Sequence, residues 1–212
     1  MKTILAFGDS LTWGADPATG GRHPIEDQWP VALDTALGGG LRVIAEGLNG
    51  RTTCYDDHSG PCDRNGTRAL PVCLASHSPL DLVVLMLGTN DLKPALCGVT
   101  EGAVAGMRRL VQIVRSFPYS QPWPVPQVLI VAPPPLLTGP AGPLTTTRPV
   151  EESKLFAPAY AALAGELATR FFDAGQVCAA SPVDGVHLSA DDTRALGEAL
   201  APVCASILSE AP

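Results

Sequence analysis

Cationic side chains are scarce in this chain: 14 Lys and Arg stand against 21 Asp and Glu in 212 residues, a formal net charge of -7. That balance leaves no basic face for nucleic acid or anionic lipid, so neither is expected as a partner. No run approaches the roughly 20 apolar residues needed to cross a bilayer. The apolar run after Met1-Lys2 ends at Phe7, before Gly8-Asp9, and is too short for the apolar region of a signal peptide. A cytoplasmic protein without membrane contact is the expectation. Nucleotide fingerprints are missing too, with no G-x-G-x-x-G and no G-x-x-x-x-G-K-[ST]. The six cysteines form no C-x-x-C pair and match no zinc spacing, so no metal and no cofactor is expected. Cys204 reads as a small buried hydrophobe. Cys54 and Cys62 flank a polar loop, and both a bridge between them and two free thiols are open readings.

What is present is enough apolar sequence for a full core: 46% hydrophobic and 17% charged residues. With no internal repeat and no linker, residues 1–212 read as one domain. Short apolar runs at Thr3 to Phe7, Leu41 to Ala45, Asp81 to Leu87, Val128 to Ala132 and Phe171 to Asp173 read as buried strands. Helical spacing covers Trp29 to Leu37, Ala69 to His77, Thr100 to Ser116 and about Glu151 to Arg170. Ser189 to Asp192 has the pattern of a capping box opening a last helix to about Ser209. Arg51 to Thr67 reads as a loop, and the Pro-rich stretches Phe117 to Pro126 and Ala132 to Pro149 as long functional or interface-forming connections. Strands alternating with helices predict an α/β/α sandwich around a parallel, flavodoxin-like sheet of about five strands.

Four blocks punctuate this pattern: Gly8-Asp9-Ser10-Leu11, Gly47-Leu48-Asn49-Gly50, Gly88-Thr89-Asn90-Asp91 and Asp184-Gly185-Val186-His187. Each follows a strand, and in an open parallel sheet the carboxyl ends of the strands share one rim. Together they hold the parts of an acyl-transfer site. Ser10 is a nucleophile that needs a base, His187 is an imidazole able to serve as one, and Asp184 stands three residues before it. The backbone N–H groups of Ser10 and Gly50 and the amide of Asn90 can donate to an oxyanion. The order Ser, Asp, His is that of the α/β-hydrolases, but no G-x-S-x-G elbow surrounds Ser10. Asp9 reads as a loop-bracing acceptor and is carried with Trp13 as a residue at the substrate pocket. Trp13 has two open readings, acyl-pocket wall or core. Arg51, Thr52 and Thr53 read as braces for the Gly50 loop, and Asp16 to Asp27 as an insertion at the substrate entrance. His23, His58 and His77 read as surface residues.

The ordered set resembles the SGNH hydrolase (GDSL esterase/lipase) superfamily, from Ile4 to about Leu200, with Ser10, Gly50, Asn90 and His187 as the four name letters. Phe7 to Gly14, Glu46 to Thr53, Leu80 to Asp91 and Phe172 to Gly175 narrow it to the bacterial arylesterase/acyltransferase branch. The resemblance implies an esterase acting on short-chain aryl or alkyl esters through an acyl-enzyme, with acyltransferase or perhydrolase activity alongside. It also implies a homo-oligomer, with an octamer as one form. Carbohydrate acetyl-esterase and lysophospholipase are alternatives within the same superfamily. A flavodoxin-like binding module is the alternative outside it, disfavoured by Asp9 standing where a phosphate would sit.

Overall fold

The computed structural model describes residues 1–138 and 147–209. Five strands form one sheet: β1 (Thr3–Gly8), β2 (Arg42–Gly47), β3 (Leu82–Met86), β4 (Gln127–Ala132) and β5 (Arg170–Asp173). Their spatial order is β2-β1-β3-β4-β5 and every pairing is parallel. The predicted α/β/α sandwich is therefore the observed fold. β1 and β3 are buried along their whole length because helices cover both faces of the sheet.

Side-chain alternation sorts the core into two layers. Leu5 and Phe7 of β1 face α3 (Gly66–His77), α4 (Thr100–Ser116) and α6 (Phe156–Glu166), packing with Leu70, Met107 and Tyr160. Ile4 and Ala6 face the other way, toward α2 (Trp29–Ala36) and α7 (Ala190–Ser209), with Trp29, Leu33, Leu196 and Leu200. α7 opens as the capping pattern requires, the Asp192 N–H donating to Ser189 Oγ at 3.2 Å.

Several strand and helix ends shift by one or two residues from the sequence reading, and larger differences fall at α3 and in the helix expected over Glu151 to Arg170. α3 begins a turn earlier, at Gly66, because the Asn65 side chain caps it by accepting from the Thr67 N–H at 3.0 Å. The helix expected over Glu151 to Arg170 is two, α5 (Val150–Ser153) and α6. Pro158 has no N–H to offer the Lys154 carbonyl, so the chain breaks at Lys154-Leu155 and restarts with the proline in the first turn of α6. That helix ends at Glu166, Ala168 with a φ of 46° turns the backbone left-handed just beyond it, and Arg170 joins β5 instead. Residues 139–146 of the Pro-rich stretch Ala132 to Pro149 lie outside the described residues. Cys54 and Cys62 are both free thiols, as are the other four cysteines.

Candidate active site

The site is built at the carboxyl ends of the strands. β1 ends at Gly8, and α1 (Ser10–Trp13), a single turn absent from the sequence reading, begins two residues later. Asp9 caps it, accepting from the Leu11 N–H at 3.0 Å through its side chain and from the Trp13 N–H at 2.9 Å through its carbonyl. Ser10 is the first helical residue, where the backbone N–H has no intrahelical acceptor. Close approach of α1 to β2 depends on Gly47: a Cβ there would lie 2.2 Å from the Trp13 nitrogen.

His187 and Asp184 reach the same point from the loop before α7. His187 Nε2 lies 3.0 Å from Ser10 Oγ, and its Nδ1 lies 2.6 Å from Asp184 Oδ2. The other Asp184 oxygen accepts from the backbone N–H groups of Val186 and His187, each at 2.9 Å. Burial works against the ionised carboxylate, but the hydrogen bonds from His187 and these N–H groups outweigh it and bring its pKa down to about 2. A carboxylate so held takes the Nδ1–H and leaves the Nε2 lone pair toward Ser10. His23, expected at the surface, is buried and donates from Nε2 to the Leu188 carbonyl at 3.0 Å, bracing the residue after His187. His77, also read as a surface residue, is half-buried and meets Glu46 at 2.7 Å.

Gly50 has a φ of 83°, a left-handed conformation that favours glycine, and a Cβ there would stand 2.7 Å from the Arg64 guanidinium, which would have to move aside. Among the described residues no acceptor meets its N–H. The loop carrying Gly50 is tied to the loop carrying Asn90: Asp91 accepts from the Thr53 N–H at 3.0 Å and from its hydroxyl. Arg51 braces the same loop from below, donating to the Gly8 carbonyl at 2.8 Å and stacking 4.2 Å above the Phe7 ring. The Asn90 amide nitrogen donates to Asp9 Oδ2 at 3.2 Å and to the Arg51 carbonyl at 3.1 Å. Both of its hydrogens are thus engaged, and an oxyanion has to draw one away.

These residues open into a cleft of about 430 Å³ lined by Ser10, Gly50, Asn90, Asp184 and His187. Asp16, Pro17 and Gly20 of the predicted insertion form part of its mouth. Arg64, Lys93 and Arg148 also line it, and no sequence pattern had singled them out. Arg64 and Lys93 share Asp57, at 3.2 and 2.6 Å. Asp9 and Trp13, carried as substrate-pocket residues, do not line the cleft. Asp9 is only 1% exposed, beneath Ser10, because its two capping bonds and the Asn90 amide hold it inward. Trp13 turns away under the Arg22 guanidinium, 4.9 Å from its ring. Among the described residues no group of three His, Cys, Asp or Glu side chains is arranged to hold a metal ion, and no helix is long and apolar enough to cross a membrane.

The GDSL-like lipase/acylhydrolase family model matches residues 6–196. The chain belongs to this family. Solved structures agree with the assignment of this GDSL hydrolase over its full length. A protein provisionally described as an arylesterase from Agrobacterium tumefaciens str. C58 is 60% identical, with a TM-score of 0.95 over 98% of this chain and 100% of that one. A carbohydrate acetylesterase family member from Sinorhizobium meliloti is 51% identical, with a TM-score of 0.96 over 99% and 100%. The aryl esterase of M. smegmatis is 40% identical, with a TM-score of 0.92 over 98% and 100%. No curated protein matches the chain at a significant level. Family, fold and coverage together make this GDSL protein a carboxylic ester hydrolase.

Proposed function

We propose that the chain hydrolyses short-chain carboxylic esters, aryl or alkyl acetates foremost, through an acyl-enzyme on Ser10. Ser10 Oγ adds to the ester carbonyl as His187 Nε2 takes its proton, and Asp184 stabilises the imidazolium. The charge on the former carbonyl oxygen is met by the N–H groups of Ser10 and Gly50 and by the Asn90 amide. His187 returns the proton to the leaving alcohol as the carbon–oxygen bond breaks. Water, deprotonated by the same histidine, then releases the acid. The observation that carries this reading is the continuous hydrogen-bonded line from Asp184 through His187 to Ser10.

Polar and charged side chains, Asp16, Asn49, Arg64, Lys93 and Arg148 among them, stand in the cleft walls beside a comparable amount of apolar surface. Acyl transfer to alcohols or peroxide needs a dry pocket in which water competes poorly, so hydrolysis is the main outcome and transfer the lesser one. The polar side chains in the walls also suit a sugar, and the Sinorhizobium meliloti relative is named a carbohydrate acetylesterase family member, which supports acetylated carbohydrates as the second reading. Steady-state rates on p-nitrophenyl acetate, acetylated xylose and lysophosphatidylcholine separate these. The first reading requires the highest kcat/KM on the aryl acetate together with a pre-steady-state burst of nitrophenol. A higher kcat/KM on the sugar ester replaces it with the second, and no turnover of any ester overturns both.

A homo-oligomer belongs to the same proposal. Support for it comes from a surface recess in which exposed Val99 and Leu155 stand beside Val104 and Ala159, apolar side chains suited to a subunit contact.

A further inference from the structure

Among the described residues, Arg148 is the one charged side chain in direct contact with the oxygen of the Asn90 amide. It stands just ahead of α5, and its Nη2 donates to Asn90 Oδ1 at 2.9 Å. The two ends of an amide are alike in shape, so only their partners decide which end faces which way. Here all three partners agree. Asp9 Oδ2 and the Arg51 carbonyl are acceptors and demand the NH2 end. The guanidinium is a donor and demands the oxygen. Turned over, Asn90 would set its oxygen against two acceptors and its NH2 against a donor.

Arg148 is also held at a desolvation cost. Its Nε is buried and meets no acceptor among the described residues. Burial draws its guanidinium below the usual arginine range, while Asp9, Asp184 and Asp57 pull the other way. A cation on the oxygen side of an amide draws electron density away from its N–H bonds and makes them stronger donors.

We infer that Arg148 is a positioning residue that fixes the orientation of the Asn90 amide and strengthens its donation to the oxyanion. The inference rests on the proposed place of Asn90 in the oxyanion hole. Arg148 acts through Asn90, so its contribution disappears when the amide is gone.

The test is a double-mutant cycle read in kcat and KM on p-nitrophenyl acetate, with Arg148→Met, Asn90→Ala and the double variant. Arg148→Met is expected to lower kcat on the order of 10-fold with KM little changed, and Arg148→Lys to retain part of the rate by keeping the charge. In the Asn90→Ala background the Arg148→Met change is expected to leave kcat within about twofold. Equal losses from Arg148→Met in both backgrounds, or a loss in KM alone, overturn the inference while leaving Asn90 in its proposed role. An unchanged kcat for Asn90→Ala overturns the oxyanion-hole reading itself, and the inference with it. Should Arg148→Met fail to fold, the cycle is run with Arg148→Lys, judged by the same criterion.

Discussion

Asp184 and Asp91 are both partly or wholly removed from water, yet they are driven in opposite directions. Asp184 receives enough hydrogen bonds to stay ionised, with its pKa at about 2. Its contribution to stability is present above the ordinary carboxylate range and lost only as pH falls through about 2, so it gives no limb to the pH–rate profile between pH 4 and 9. Asp184→Asn preserves shape but removes the charge that stabilises the imidazolium. It is expected to lower kcat on the order of 10³- to 10⁴-fold, read from initial rates at constant pH. For Asp91 burial dominates over the Thr53 hydrogen bonds and raises the pKa to about 7, with the nearby Asp9 charge adding to it. The sign is then reversed: its contribution is full below the unfolded carboxylate range and disappears as pH rises through about 7. Urea midpoints are therefore expected to fall between pH 5 and 8 in the wild type and to fall less in Asp91→Asn. Ser10, Gly50, Asn90, Asp184 and His187 were legible because each lies in a block at the end of a strand, and parallel topology brings those ends together. Arg148, Arg64 and Lys93 were not, because their loops are routed by contacts such as Asn90 and Asp57 that no local pattern encodes. Burial of His23 was hidden for the same reason, since its partner is 165 residues away.

The helix-and-strand frame was read correctly wherever the apolar period was long, as in α4 and α7, and failed where one residue changed the backbone. Pro158 and Ala168 divided a single expected helix into α5, α6 and the start of β5. α1 was missed because four residues carry too little periodicity to be seen, although it is the element that presents Ser10. Its seat is set by contact with β2. An added Cβ at Gly47 would lie 2.5 Å from the Trp13 Cα as well as 2.2 Å from its nitrogen, and backbone cannot move aside as a side chain can. Gly47→Ala is accordingly expected to destabilise the fold by ~1–3 kcal/mol and to lower kcat by moving Ser10 off His187. Denaturant titration and kinetics on the same sample check this. Unchanged values in both would mean that α1 is not held where its chemistry requires.

For the whole molecule, the two core layers leave β2 and β5 at the sheet edges and the Val99–Leu155 recess at the surface. A homo-oligomer that covers this recess is expected to run above 22.0 kDa in light scattering. Val99→Asp with Leu155→Asp is expected to return it to monomer, and a wild-type mass equal to one chain would end that proposal. The central claim concerns which oxygen attacks the ester. Its most direct measurement is mass spectrometry after treatment with a fluorophosphonate. One phosphonyl group per chain is expected, on Ser10, with activity lost in proportion to labelling and no adduct in Ser10→Ala. An inactivated enzyme carrying its adduct on another residue would contradict it.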